Sequence, residues 1–413
     1  MGAVLFDNVN VFDGRSEELL EGVSVLVRGN RIERIGRDVL PQAGTEVLHG
    51  EGRTLMPGLI DCHVHVCLGA EADPLAMVRE PKGMVVIKAV NFLSKYVDAG
   101  FTSLRDMGGV DYFDVALKLA VSRGMIRGPR LFVSGKMISE TGGHGDFYTP
   151  WGVSMDTGFS RIADGVWEVV KAVREQIRAG ADWIKICTTG GVLSPADDPR
   201  HSQFSVEEIE AIVREAATKG RRVASHAQGL EGVRNAVRGG VASVEHGVFL
   251  DDEVIEEMRE RGVYLVPTLS APDAIIKHGT AGGIPDYGVR KAREVMEVHR
   301  KSFRRAYEAG VRIAMGTDAG TPFNFHGSNA REISLMVESG MKPVDALRAA
   351  TSTAAELLGI ADRTGTVEEG KLADLILVDG DPIRDVGILS DPSNVLLVMK
   401  EGEVLKNTLG AED

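Results

Sequence analysis

Cysteine is scarce, with only Cys62, Cys67 and Cys187 in 413 residues. An odd number without metal-type spacing excludes a disulfide framework and fits a reducing cytoplasm, where the chain is expected to reside. Cys62 and Cys187 read as small buried fillers beside more reactive neighbours. Positive charge is also in deficit: 47 Lys and Arg face 60 Asp and Glu, for a net charge of −13. No basic cluster offsets it, so nucleic acid is excluded as a partner. No apolar run approaches the length of a membrane span, so no membrane partner is expected. The first residues, Met1 to Asp7, lack a basic region followed by a long apolar one, and no signal peptide is expected. Low-complexity tracts and internal repeats are missing too.

What is present is a large apolar inventory, 43% of residues, with 26% charged. That composition describes a globular protein with an ample core. A length of 413 residues suits one α/β barrel plus a small accessory module. Residues 1–58 read as short strands broken by turns at Asp13-Gly14 and Gly29-Asn30, among them Val4-Leu5-Phe6, Val9 to Phe12 and Val23 to Val27.

From residue 59 the pattern alternates strand with helix. The eight expected strands end near His65, Asp106, Ser134, Ile186, His226, His246, Val266 and Met315. Helices are expected between them, including 82–99, 162–179, 205–219 with a capping box from Ser205 and Glu208, 287–309, 330–339 and 343–358. A loop from 135 to about 160 is too long for a plain connector. After about Val367 strands return, at 375–378, 395–399 and 403–405. The fold class expected is α/β: a (β/α)8 TIM-like barrel over 59–366, with a small β-sandwich built from 1–58 and 367–413.

Catalytic groups of such barrels lie at the C-terminal ends of the strands. His63 and His65 sit there on strand 1, Lys185 on strand 4, His226 on strand 5, His246 on strand 6 and Asp318 after strand 8. Residues two apart on a strand share a face, so His63 and His65 can converge on one cation. A lone strand histidine is ordinarily a hydrogen-bonded core residue, and an Asp after a strand is often a helix cap. Four of the ten histidines falling at strand ends makes that explanation insufficient.

Lys185 stands among Trp183, Ile184 and Ile186, where an unpaired ammonium is costly to bury. Burial favours the neutral amine, which can add carbon dioxide to form a carbamate with two oxygens able to bridge two cations. His63, His65 and Asp318 then hold one cation, and His226 and His246 the other. This donor set suits two Zn²⁺ ions, with Mn²⁺, Co²⁺ or Fe²⁺ as alternatives. Two such ions roughly 3.5–4 Å apart can share a hydroxide. Asp318 can take its proton and pass it to a leaving amine.

The segments Pro57 to His65, Ser225-His226-Ala227, Val244-Glu245-His246-Gly247, Gly316-Thr317-Asp318-Ala319-Gly320 and Gly370-Lys371-Leu372-Ala373-Asp374-Leu375 together resemble the amidohydrolase superfamily along essentially the whole chain. Lys185, within Ile184 to Gly191, resembles the dinuclear branch with a carboxylated lysine (N6-carboxylysine). The nearest groups are Xaa-Pro dipeptidases (prolidases), lysine/arginine carboxypeptidases, ochratoxinase-like amidases and phenylurea hydrolases. The resemblance implies hydrolysis of an amide or a related bond, each metal ligand keeping its matching position, and the leading reading is the amide bond of a dipeptide or N-acyl amino acid. It also implies that His144, in Gly142-Gly143-His144-Gly145, faces the substrate and polarises the scissile carbonyl or binds a carboxylate.

Dipeptidases of this kind often carry Tyr two residues after the strand-5 histidine. Here that residue is Gln228, a departure that puts a dipeptide substrate in question. His326, in Phe325-His326-Gly327, is a further candidate for the pocket, as is the Arg200-His201 pair. The other readings are a hydrolase of a xenobiotic amide, carbamate, urea or ester, a mononuclear deaminase, and a metal-free scaffold. Lys185 argues against the deaminase and the full ligand set against the scaffold. A small-molecule substrate and a homo-oligomer are expected.

Overall fold

The computed structural model describes residues 2–73, 76–147, 155–194 and 197–409. Part of the long loop after the third strand, 148–154, and the extreme termini lie outside the described residues.

Both ends of the chain build one hydrogen-bonded set of eight strands. In order these are Glu403–Asn407, Val395–Lys400, Leu375–Val378, Thr54–Pro57, Ala3–Val11, Leu20–Arg28 and Arg31–Gly36, with Thr45–His49 lying parallel to Ala3–Val11. The two short N-terminal strands expected around Val4 and Val9 are one strand, with register irregularities after Phe6 and Val9 and Asn8 at φ 53° between them. One face buries Phe6, Val9, Val25, Leu55, Leu377 and Leu397 as a core of its own. Arg130 secures this sheet to the barrel through Asp374, with Nη1 2.8 Å from the carboxylate.

Thr54–Pro57 leads directly through Gly58 into the first barrel strand, Leu59–Val64. A side chain at Gly58 would collide with Thr102, so only glycine lets the chain pass from sheet to barrel there. The barrel strands that follow are Phe101–Asp106, Arg130–Val133, Trp183–Cys187, Arg222–Ala227, Ser243–His246 and Tyr264–Val266, parallel to their neighbours. Between the third and fourth, Asp182 N donates to Val133 O at 2.7 Å and completes the wall.

The eighth strand departs from expectation. Residues 311–315 form only a bridge at Ile313 to Leu265, and Ala319 a bridge to Val64. The cause lies in the helix expected over 343–358, which is broken into Pro343–Ala349 and Ser352–Leu358. Carbonyls at the break reach into the barrel wall: Ala349 O accepts from Met315 N and Ala350 O from Ile60 N, each at 2.8 Å. Those bonds replace part of the ladder between the first and eighth strands.

The remaining helices lie close to their expected places, and both bonds of the Ser205–Glu208 capping box are present. A helix not expected from the sequence, Ser270–His278, lies after the seventh strand. The loop from 135 contains two short strands, Met137–Ser139 and Ser160–Ile162, paired in parallel beside the fourth barrel strand. Among the described residues no helix is long and apolar enough to cross a membrane.

Candidate active site

Alternation along the strands aims the key side chains inward. Trp183, Lys185 and Cys187 share the interior face of their strand, while Ile184 and Ile186 join the core around it. At the bottom Trp183 lies between the guanidinium groups of Arg105 and Arg222, each 4.6 Å from its ring centre. Above it Lys185, His63, His65, His226, His246 and Asp318 line one cavity at the C-terminal mouth of the barrel.

The imidazoles form a continuous arc. His63 lies 5.3 Å from His65 and 5.2 Å from His246, centre to centre, and His246 lies 4.6 Å from His226. His144 stacks on His226 at 4.1 Å and 17°. Gly191 makes that stacking possible, since a Cβ there would strike the His144 ring. Ligand atoms of His63, His246 and Asp318 fall within 4.8 Å of one another. Asp318 Oδ1 lies 3.1 Å from His65 Nε2 and 3.4 Å from His63 Nε2.

Each of the four strand-end histidines has one ring nitrogen engaged away from the cavity. His63 Nδ1 donates to Glu245 Oε2 at 2.7 Å, and His65 Nδ1 to the Gly108 carbonyl at 3.3 Å. His226 Nε2 donates to the Gly190 carbonyl at 3.0 Å, and His246 Nδ1 pairs with Thr268 Oγ1 at 2.7 Å. For His63 and His226 the carboxylate or carbonyl partner sets the tautomer and leaves the opposite nitrogen with a lone pair. Burial, reinforced by neighbouring positive groups, holds His63, His226 and His246 well below the usual imidazole range, so they are neutral donors.

Lys185 is 2% exposed, and among the described residues its Nζ has no hydrogen-bond partner. Burial lowers its pKa, against the pull of Glu245, Cys187 and Asp318. Burial pushes the Asp318 carboxyl up, but the His63 and His65 rings beside it outweigh that effect and hold it below the usual carboxylate range. Burial also raises the Cys187 thiol to about 12, leaving it an inert neighbour. The donor set fits a metal centre: four imidazoles, a carboxylate and a buried amine without a hydrogen-bond partner among the described residues, all lining one cavity.

Two of these positions are conformationally strained. His246 has φ 71° and Asp318 φ 61°, left-handed values that non-glycine residues adopt at a cost. The turn at His246 breaks strand alternation and lets Glu245 and His246 both serve the interior. Asp61 holds the strand-8 end in place. Its carboxylate accepts from Thr317 Oγ1 at 2.6 Å and from Asn329 Nδ2 at 2.7 Å. Burial raises Asp61 to about 6 despite these bonds.

Of the other sequence candidates, His144 and Gln228 reach the cavity. His144 Nδ1 lies 2.8 Å from Ser194 Oγ and 3.4 Å from Asp197 Oδ2. Gln228 is 6% exposed, and among the described residues its Oε1 has no partner. His326 is not brought to the cavity. Its Nδ1 pairs with Tyr96 Oη and its Nε2 with the Leu68 carbonyl, both at 2.7 Å, and its ring stacks on Phe92 at 4.3 Å. With both nitrogens committed it locks the loop after strand 8 onto the helix Lys82–Asp98. Arg200 and His201 are exposed, and Arg200 covers the Phe249 ring at 5.0 Å.

Sequence reasoning missed the supports. Glu245 and Arg105 orient His63, Thr268 orients His246, and Lys291 ties down the loop around Ser194. Lys291 Nζ donates to the carbonyls of Gly191 and Ser194, at 3.1 and 2.8 Å. A glutamate directly before His246, on a strand expected to be buried in the barrel, was the available signal for Glu245: a buried carboxylate needs a partner.

Comparison with known proteins agrees with this construction. The sequence model of the amidohydrolase family matches residues 54–405. Ochratoxinase of Aspergillus niger is 35% identical over 375 residues, covering 85% of this chain and 75% of the relative. The crystal structure of a Xaa-Pro dipeptidase with methionine bound in its active site superposes with a TM-score of 0.90 at 36% identity, covering 97% of this chain and 99% of the other. The crystal structure of A. niger ochratoxinase gives a TM-score of 0.84 at 31% identity, covering 98% and 96%. With one family accounting for most of the sequence and nearly all of the fold, this protein belongs to the amidohydrolase family and is a hydrolase of amide carbon–nitrogen bonds.

Proposed function

We propose that the chain is a dinuclear metal-dependent hydrolase of an amide bond in a dipeptide, Xaa-Pro or similar, or in an N-acyl amino acid. The observation that carries this reading is Lys185: a buried amine without a hydrogen-bond partner among the described residues, lining the same cavity as the four strand-end imidazoles. An unpaired ammonium there is costly, whereas a carbamate on Nζ would offer two oxygen donors at this position. His63, His65 and Asp318 would hold one divalent ion, His226 and His246 the other, with carboxylated Lys185 between them; zinc suits the donors.

When bound, such a pair supplies Lewis acidity toward the scissile carbonyl and acidifies water. The chain's own groups do the rest. Asp318 Oδ1 faces His63 and His65, so Oδ2 is the oxygen placed to take a proton from the attacking water and return it to the leaving nitrogen. His144, backed by Ser194 and Asp197 on Nδ1, presents Nε2 to a substrate oxygen. The apolar wall, including Met137, Phe147, Phe159 and Ile275, excludes water and accepts apolar substituents. The relatives named as a Xaa-Pro dipeptidase and an ochratoxinase support an amide as the bond cleaved.

The test is metal analysis of purified protein together with a screen of dipeptides and N-acyl amino acids. Close to two metals per chain and hydrolysis of at least one amide are expected. A reproducible absence of metal after growth in supplemented medium would favour a scaffold instead. Turnover confined to esters, ureas or carbamates would displace the amide reading.

A further inference from the structure

We propose that Gln228 reads the N–H of the scissile bond, so that the preferred substrates are secondary amides without an ammonium group, flanked by apolar groups. The inference rests on the hydrolase reading above and narrows its substrate.

Three observations carry it. First, Gln228 is fixed at the backbone: its N donates to Thr189 Oγ1 at 3.0 Å and its carbonyl accepts from Phe249 N at 2.8 Å. Second, Gln228 lines the cavity, and its buried side-chain Oε1 has no donor among the described residues. A buried acceptor left unmade is unfavourable by about 1–3 kcal/mol, and a bound N–H removes that cost. Gln228 stands two residues beyond His226, roughly 7 Å along an extended chain. Its side chain lines the same cavity as the imidazole arc.

Third, the cavity is poor in charge. Among the described residues lining it, Lys185 and Asp318 are the only members of the Lys, Arg, Asp and Glu group, and both belong to the candidate metal centre. The internal stretches outside the described residues, 74–75, 148–154 and 195–196, contain no acidic or basic residue in the sequence. A substrate ammonium would therefore enter without a carboxylate to meet it, at high cost. A neutral N–H has no such cost and satisfies Gln228. The tertiary amide of an Xaa-Pro bond has no N–H and leaves Oε1 unpaired. A site built to bond a donor discriminates against the analogue lacking it.

The experiment compares kcat/KM of the metal-loaded enzyme for N-benzoyl-L-phenylalanine and its N-methyl analogue, in wild type, Gln228→Met and Gln228→Glu. A parallel pair, N-acetylglycyl-L-phenylalanine and glycyl-L-phenylalanine, tests the charge. Wild type is expected to prefer the N–H substrate by about tenfold or more. Gln228→Met, which keeps shape and loses the acceptor, should lower that ratio several-fold, and Gln228→Glu should retain it. If Gln228→Met fails to fold, Gln228→Asn, which shortens the reach by one methylene, replaces it with the same expected loss. A ratio unchanged in the folded variant would overturn the inference, as would preference for the free ammonium or hydrolysis confined to Xaa-Pro dipeptides. The last outcome would leave the hydrolase reading standing, whereas no hydrolysis of any amide would end both.

Discussion

Glu245 Oε2 and His63 Nδ1 lie 2.7 Å apart, both side chains almost completely buried. The same carboxylate meets Arg105 Nη2 at 2.8 Å through its other oxygen, and Arg105 Nε donates to the Cys62 carbonyl at 2.6 Å. Glu245 thus performs two tasks: it fixes the tautomer of His63 and neutralises a guanidinium with no access to water. In Glu245→Gln the first task is weakened and the second abolished. Metal affinity is expected to fall about 10–100-fold. Stability should fall by about 3–5 kcal/mol, the usual result of leaving a buried charge alone. Metal titration and denaturant unfolding measure the two effects separately. A variant with native affinity and native midpoint would show that Glu245 is only a packing residue.

Lys185→Ala removes the amine while leaving the four imidazoles in place. Metal content should drop well below that of wild type and turnover should fall with it. Short carboxylates such as propionate should restore part of both, because they supply the missing oxygens. Growth with ¹³C-labelled bicarbonate offers an independent readout: wild type should give a carbamate carbon signal that the variant lacks. Wild-type-like activity in Lys185→Ala would rule out the bridge.

The expected strand ends placed His63, His65, Lys185, His226, His246 and Asp318 around one cavity, because period-two alternation and the barrel rule are local signals. The supports were not readable in that way. Thr268 meets His246 only through a left-handed turn at φ 53° that begins the unexpected helix Ser270–His278. That helix contains Pro272 in its first turn and only nine residues, so its periodicity is weak. His326 looked like a pocket residue because its loop follows Asp318, yet the loop turns the ring back onto Phe92 and Tyr96. The broken eighth strand depends on Ala349 and Ala350 carbonyls more than thirty residues away in sequence, which no local pattern announces.

Glu332 gives a pH prediction with a defined sign. Its carboxylate accepts from Leu269 N at 2.8 Å and from Ser270 N and Oγ at 2.7 and 2.6 Å, anchoring the start of the helix that walls the cavity. Burial nevertheless raises it from 4.5 to about 8. Between those values the native chain binds the proton more tightly than the unfolded chain. The stability it confers is therefore complete below about 4.5 and is lost as pH rises to about 8. Glu332→Gln deletes this titration. The Tm of wild type relative to Glu332→Gln should decline from pH 5 to pH 8.5. A constant difference across that range would mean Glu332 does not change protonation on folding.

Asp318→Asn isolates the proton transfer from the fold. Asparagine tolerates the left-handed φ of 61° at this position, so the backbone strain does not increase. The amide can still pack beside His63 and His65, and the melting curve should stay close to that of wild type. What it cannot do is accept a proton at Oδ2 and deliver it to the leaving nitrogen. General acid–base groups contribute about 10²–10⁴-fold, and kcat should fall in that range. Because Asp318 is also a proposed ligand, metal content must be measured in the same preparation. A metal-loaded, folded variant with only a mild loss of kcat would move the proton relay to another residue, with His144 the first to test.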